Sequence, residues 1–482
     1  MRIIDKTCPS APDEKDTDPY LDTTSRSYTI KVITPLFGGG VEAGVNDPVT
    51  LIRPSSIRGH LRFWWRATRG ASCTSISELR QREGEIWGTT ENPSLVILEV
   101  NVTAQKEPVD CATWTPRKPP KTGYSLRWHH LFKGEDNCLP YLLFPFQGNQ
   151  RKKDSKEPAK MIESVEFKLI IRFPTPERTG NLRDTFNKER GKMQLPLLDK
   201  NHDDLEKDIV AALWAWVNFG GIGARTRRGC GALYCEALAP PSANTIDDWI
   251  KDKVQDYGFP LRDWPTFPKK LYLKNVTGDA IGGWREAIRW FKEFRQGEHY
   301  GRDPKPGNTP GRSRWPEPES IRKLICRQRN LNRPNGWHGP DTRIPTEYEY
   351  FPRAEFGLPI VFEIRDERVP GGHGNKPIKP TLQYNDDIDR MASPLLLRPL
   401  CFKDHSATAM VAVLNTALLE SAYLKQGEYD LTSNVSVTAA QIRNSCLSTY
   451  PDSPLRNRSS CGSALEAFIA FIKEQGFKEY LL

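Results

Sequence analysis

Apolar residues recur along this chain with two periods, and each period predicts elements. Near the start, Tyr28, Ile30 and Val32 alternate with polar residues and predict a strand that stops before Pro35. From Arg53 to Gly70 the spacing changes to a helical one. Pro54 suits a first turn, Ser55 or Ser56 can cap it, and Gly70 ends the run. At about 100° per residue, Ile57, Leu61 and Trp64 share an arc of roughly 60°, a face suited to burial. Leu95 to Thr103 is a β-branched strand, and Val165, Phe167, Leu169, Ile171 and Phe173 alternate with polar residues in a one-sided strand. Asp203 or Asp204 can cap a helix through Phe219, with Leu205, Ile209, Leu213 and Trp216 inward; a strand over Ala232 to Leu238 follows.

The order strand, helix, strand, strand, helix, strand is that of a ferredoxin-like, RRM-like βαββαβ unit of α+β class, with an open sheet face of the kind RNA-recognition domains use. Residues 105–160, with their Pro and Lys clusters around a short apolar piece at Leu139 to Phe146, read as an insertion. The expected organisation is a polar tail over 1–26, a first domain over 27–240, a linker over 241–270 and a second, divergent α/β domain over 271–482. In the second half, strands are expected at Leu271 to Val276, Ile360 to Ile364, Leu395 to Phe402 and Ala407 to Leu414. Helices are expected at Gly283 to Gln296 and Ser463 to Glu474, and Gly301 to Asp341 reads as an extended basic segment.

Charge adds a functional reading. The total is modest, 69 Lys+Arg against 60 Asp+Glu for a net +9 over 482 residues, so its distribution matters more than its size. Arg58, Arg62, Arg66 and Arg69 share one arc of the first helix with no acidic residue from 53 to 70. Such a set repels itself unless something anionic compensates, and guanidinium forks match phosphate oxygens. Between Phe219 and Gly231, five glycines surround Arg225, Arg227 and Arg228, a second basic element suited to a phosphodiester backbone. Both elements lie at helix ends of the expected unit, where they can converge. The Leu36 to Gly40 loop has neither dinucleotide nor P-loop spacing. Ten scattered cysteines without a C-x-x-C pair fit reduced thiols of a cytoplasmic protein, and no apolar run reads as a signal peptide or membrane span.

Acid–base chemistry has weaker candidates. His60 points about 160° away from the arginine arc. His129-His130 lies in the insertion, and Asp203-Asp204 and Asp386-Asp387 sit in capping or linker contexts, so neither a catalytic residue nor a metal site nor a cofactor is expected.

Thr34 to Gly40, Arg53 to Arg66 and Gly220 to Gly231 together resemble the RAMP superfamily of CRISPR effector proteins. The run Arg58-Gly-His-Leu-Arg-Phe-Trp-Trp-Arg66 is similar more narrowly to the first-subunit family of the Cmr complex, the type III-B effector, as are Gly311 to Arg322 and Arg390 to Arg398. The resemblance implies tandem ferredoxin-like domains in a cytoplasmic ribonucleoprotein, at the head of the complex near the 3′ end of the guide. It implies a non-catalytic subunit whose partners are the CRISPR guide RNA, the target RNA and other Cmr subunits. The RNA-binding residues it suggests are Arg53, Arg58, Arg62 and Arg66 from the helix, and Gly220, Gly221, Gly223, Arg225, Thr226, Arg227 and Arg228 from the loop. Contacts of this kind hold a strand without reading its sequence. The alternatives are a RAMP endoribonuclease that processes the guide and an unrelated basic protein with acidic protein partners.

Overall fold

The computed structural model describes residues 22–40, 44–90, 93–119, 123–134, 136–150, 155–192, 202–255, 260–276, 278–304, 311–330, 332, 349–364, 379–426 and 431–482. It is a mixed α/β fold with several small antiparallel sheets. The first unit runs β1 (Thr23–Val32), α1 (Pro54–Ala67), α2 (Ile76–Trp87), β2 (Ile97–Gln105), β3 (Val165–Pro174), α3 (Pro176–Lys192), α4 (His202–Phe219) and β4 (Leu233–Tyr234). Its sheet has the order β2-β3-β1-β4. β1 pairs antiparallel with β3 along its whole length, Ile30 opposite Phe167 and Val32 opposite Val165, so the alternating apolar residues of both strands fall on one face. Ile30, Val32, Phe167, Leu169 and Ile171 are all fully buried there under the helices.

The other face is open, and its side chains differ from those of a base-stacking platform. β1 presents Ser25, Ser27, Thr29 and Lys31; β3 presents Glu166, Lys168, Ile170 and Arg172. No aromatic ring is among them, and the charges neutralise one another, Lys31 against Glu166 at 3.3 Å and Arg172 against Glu99 at 3.1 Å. A sheet that stacks bases needs aromatic faces. β1 and β3 therefore offer no ring there for a base to stack on.

The second unit repeats the order of elements: β5 (Lys270–Asn275), α5 (Ala280–Gln296), β6 (Leu395–Cys401), β7 (Ala407–Val413), α6 (Ala464–Glu474) and β8 (Lys478–Leu481). Its sheet runs β6-β7-β5-β8, the counterpart of the first strand for strand. Here both faces are covered. Leu395, Leu397, Ala409 and Val411 pack with α5 and α6, while Leu396, Leu400, Met410 and Ala412 join the core of the first unit. α4 is the slab between them. That explains why Ala212, Leu213, Trp214, Ala215, Trp216 and Val217 are all buried, a helix apolar on every side rather than on one stripe.

Around this double core the segments differ from expectation in four places. Residues 23–26, expected in a polar tail, are the first residues of β1, and the expected strand at Ala232 to Leu238 is two residues long before a 3-10 turn. The expected linker carries the helix Ile246–Val254, whose Ile246, Ile250 and Val254 are buried in the first core with Phe267. Within the expected basic segment lies the helix Glu317–Gln328, with Ile321, Leu324 and Ile325 at the centre of a third core. That core sits under a sheet of strands 360–361, 381–383, 421–425 and 435–438. The parts of the basic segment at 305–310, 331 and 333–341 lie outside the described residues. The 105–160 insertion is built, with a hairpin (Ala112–Pro116 with Tyr124–Trp128) and a helix (Cys138–Leu143). It grips α5: Arg285 donates to the carbonyls of Leu131 and Lys133, and Lys292 to that of Asp136.

Helix starts are set locally. Asp279 accepts from the Gly282 amide at 3.0 Å and opens α5, and Ser463 accepts from Glu466 to open α6. Asp279→Ala is expected to cost about 1 kcal/mol, read as a lower midpoint of urea unfolding. An unchanged midpoint would mean that packing of Trp284 and Ile288 alone fixes the start. α1 differs: its N-cap is Arg53 with no side-chain cap, Pro54 supplies the first turn, and the helix ends at Ala67 with Thr68, whose hydroxyl donates to the Trp64 carbonyl.

Candidate nucleic-acid interface

The inward face of α1 is the predicted one. Ile57 and Leu61 are fully buried and Trp64 nearly so, each contributing about 1.5–3 kcal/mol by removal from water. This packing aims the arginines outward, and the structure supplies them with partners the sequence did not reveal. Arg62 Nε and Arg66 Nη1 both lie 2.6 Å from Glu83 Oε1 on α2, and Arg69 Nε lies 3.1 Å from Asp208 Oδ1 on α4. Arg58 donates to the Val96 carbonyl at 3.2 Å, and Arg53 to the carbonyls of Gly39 at 2.5 Å and Gly40 at 3.3 Å. The repulsion along the helix is therefore relieved partly from within the chain. One carboxylate shared between two guanidiniums leaves a net positive site, and Arg62 and Arg66 keep 37% and 31% of their side chains exposed.

The glycine–arginine loop meets this helix. Arg227 lies over the Phe63 ring, 5.4 Å from its centroid, and Gly220 fits against Trp64, whose Nε1 would be 2.6 Å from an added Cβ. The Thr34 to Gly40 loop joins them: Ala224 donates to the Phe37 carbonyl at 2.7 Å and Gly231 to that of Pro35 at 3.0 Å. Three stretches far apart in sequence thus form one surface.

Within the loop, geometry divides the candidates. Arg225, in the left-handed region at φ 57°, is exposed, and Thr226 opens a short 3-10 turn through Arg228. Arg227 and Arg228 turn toward the second unit. Arg227 donates to the Ser393 carbonyl. Arg228 donates to the Leu395 carbonyl at 2.7 Å, the Phe356 carbonyl at 3.1 Å and Ser393 Oγ at 2.9 Å, and its guanidinium lies over Phe291. Burial pulls its pKa down, and Arg295 and Arg225 add to the effect. Returning from the other side, Arg398 of β6 is fully buried and donates to the carbonyls of Gly220, Leu233 and Pro399. The glycines allow close packing of the loop within the first unit. The Gly221 carbonyl accepts from Trp216 Nε1 at 2.9 Å, and Gly223, at φ 83°, lies against Leu36 and the Phe37 carbonyl. The loop amides of residues 220, 222, 224, 228, 229 and 231 are likewise bonded to chain carbonyls. The amides of Gly220, Gly229 and Gly231 are thus engaged within the first unit, and Gly229 packs against Trp284 and Leu397 of the second.

His60 stacks on Trp216 with ring centroids 6.0 Å apart, and burial lowers its pKa. His129 and His130 lie together, rings 4.1 Å apart, with His129 Nε2 3.6 Å from Glu163 Oε1. The adjacent histidines were visible in the sequence; Glu163, beyond the hairpin and the short helix, was not. The same holds for Glu83, Asp208 and Ser393, which no spacing connects to the arginines they hold. The described cysteines carry no disulfide, and burial raises the Cys230 thiol to about 12. Among the described residues no helix is long and apolar enough to cross a membrane.

Over 215 residues, the chain is 23% identical to the CRISPR system Cmr subunit Cmr1-2 of Pyrococcus furiosus, which covers 44% of this chain and 95% of that protein. The crystal structure of apo Cmr1 from Pyrococcus furiosus is similar with a TM-score of 0.41 at 13% identity, covering 86% of this chain and 94% of that one. A cryo-EM structure of the type III-B Cmr-beta complex bound to cognate target RNA contains a chain similar at a TM-score of 0.41 and 13% identity, with 82% and 94% covered. A family model described as the RAMP superfamily matches residues 29–234, the span from β1 through β4 that holds α1 and the glycine–arginine loop. Residues 29–234 of this chain are thus similar to the RAMP superfamily, within a chain that over 215 residues is similar to a Cmr subunit of CRISPR systems.

Proposed function

We propose that this chain is a non-catalytic RNA-binding subunit of a type III-B Cmr effector, built from tandem ferredoxin-like units and working in the cytoplasm with other Cmr subunits. It holds guide RNA and target RNA near the guide 3′ end through sequence-independent phosphate contacts. The observation that carries this reading is the convergence of α1, the Thr34 to Gly40 loop and the glycine–arginine loop on one surface that displays Arg58, Arg62, Arg66 and Arg225. The repeated strand order of the two sheets supports the tandem arrangement. Arg53 shapes the loop edge of this surface, while Arg227 and Arg228 brace it from behind and act on RNA through its shape. His60, lying on Trp216, supports a role for α1 in binding without acid–base chemistry.

The test is fluorescence anisotropy with single-stranded RNA and a guide–target duplex at two salt concentrations, with the same samples run on a gel. Arg58→Ala/Arg62→Ala and Arg225→Ala are each expected to weaken binding and to flatten the salt dependence. The slope should fall by about 0.7 to 0.9 for each phosphate that is no longer neutralised, with the variants still folded and the RNA intact. Unchanged affinity in both would sink the assignment, and cleaved RNA would favour the endoribonuclease reading.

A further inference from the structure

We propose that His129, His130 and Glu163 form a binding site for a divalent transition ion of the Zn2+ class, which fastens the 105–160 insertion to the first strand pair of the RAMP region. The three side chains bring one ligand atom each within 4.8 Å of one another. His129 Nε2 stands 3.6 Å from Glu163 Oε1. That is too long for a hydrogen bond and close to the separation of about 3.3 Å between neighbouring ligands in a tetrahedral site with bonds of about 2.0 Å.

His129 carries the argument. Its Nδ1 is buried with no hydrogen-bond partner, and its Nε2 faces a carboxylate and a second imidazole without bonding to either. Nε2 is the nitrogen turned to the cluster, and an ion there would give it a strong partner. The backbone holds the ring in place, since the His129 amide donates to the Cys111 carbonyl at 2.9 Å. Glu163 is oriented as well. Lys106 Nζ lies 2.6 Å from Oε2, which fixes the carboxylate and leaves Oε1 turned to the histidines. Two imidazoles and one carboxylate are a ligand set of intermediate softness, suited to Zn2+, Co2+ or Ni2+ and poorly suited to Ca2+ or Mg2+. Three protein ligands leave a position for water, and the exposure of His130 opens the site to solvent.

The placement explains what such an ion would do. His129 and His130 follow the hairpin of the insertion, and Glu163 lies in the turn between the strand at Lys160–Ile162 and β3. The ion would tie the end of the insertion to the root of β3 across the edge where Leu36 and Phe37 pair with Met161 and Ile162. None of the three ligands is among the arginines of that surface, so failure of the site would leave the RNA reading untouched.

The full chain, freed of metal by chelation, is titrated with Co2+ and followed by its visible spectrum and by calorimetry with Zn2+. One ion per chain is expected, with weak visible bands of a four- or five-coordinate nitrogen–oxygen site and no thiolate charge-transfer band. His130→Ala and Glu163→Gln are each expected to weaken binding by ten-fold or more; His130 is exposed, so its loss leaves the fold intact. Zn2+ should raise the Tm of the wild type and not of His130→Ala. No uptake by the wild type, equal uptake by both variants, or a thiolate band pointing to the cysteines would each overturn the proposal.

Discussion

Replacing Arg398 by Met is expected to lower the unfolding free energy by about 3 kcal/mol or more, the sum of several unpaired buried carbonyls at about 1–3 kcal/mol each. Arg398 is 1% exposed and binds no carboxylate among the described residues; its donors go to the carbonyls of Gly220, Leu233 and Pro399. Burial brings its pKa down to about 9, still above neutrality, so a full charge sits where the two units meet. Dipoles of three carbonyls compensate it. Met fills much of the volume and leaves those carbonyls with nothing, whereas Arg398→Lys keeps the charge but offers donors from a single atom and should fall between. Urea unfolding at neutral pH measures the difference. A loss below about 1 kcal/mol would mean that the loop and β6 relax apart without penalty, and the clamp would then contribute shape alone.

Gly231→Ala should be comparably damaging, by about 2–5 kcal/mol, from left-handed strain of about 1–2 together with overpacking of about 1–3. Gly231 has φ 59°, and an added Cβ would collide with the Ile222 carbonyl oxygen. The substitution must break the pairing of Ile222 with Gly231 and the bond from Gly231 to Pro35. Gly59→Ala is the matched control. It lies in α1 with nothing within 4 Å of a Cβ, so it should stabilise the protein by about 0.5–1 kcal/mol. Thermal unfolding of the two variants should move in opposite directions; a shared direction would refute the account of the loop.

What the sequence disclosed follows the range of the forces involved. The burial of Ile57, Leu61 and Trp64, the alternation of β3 and the start of α6 depend on neighbours a few residues away and show in the local pattern, whereas α5 begins at Ala280, three residues before the expected Gly283, because Asp279 caps it. The helix Glu317–Gln328 is hidden in the sequence because its arginines and prolines outweigh Ile321, Leu324 and Ile325, which hold it through a third core assembled from distant strands. The helix Ile246–Val254 reads as linker because Pro and Asp flank a short apolar stripe. The arginine surface is legible as a set of residues and illegible as an electrostatic object. Glu83 and Asp208 reach it only after folding, and the same tertiary step turns Arg227 and Arg228 from the surface toward Ser393 and Leu395.

The all-round apolar α4 has a consequence for biosynthesis. A chain emerging from the ribosome completes Phe219 long before Leu396, Leu400, Met410 and Ala412, the residues that cover its outer side, have been made. At 5–20 residues per second the interval is about 10–40 s. During it the side of α4 that meets β6 has no permanent cover, so the nascent first unit is a natural client for a chaperone, and a stop codon before β6 leaves that apolar side exposed.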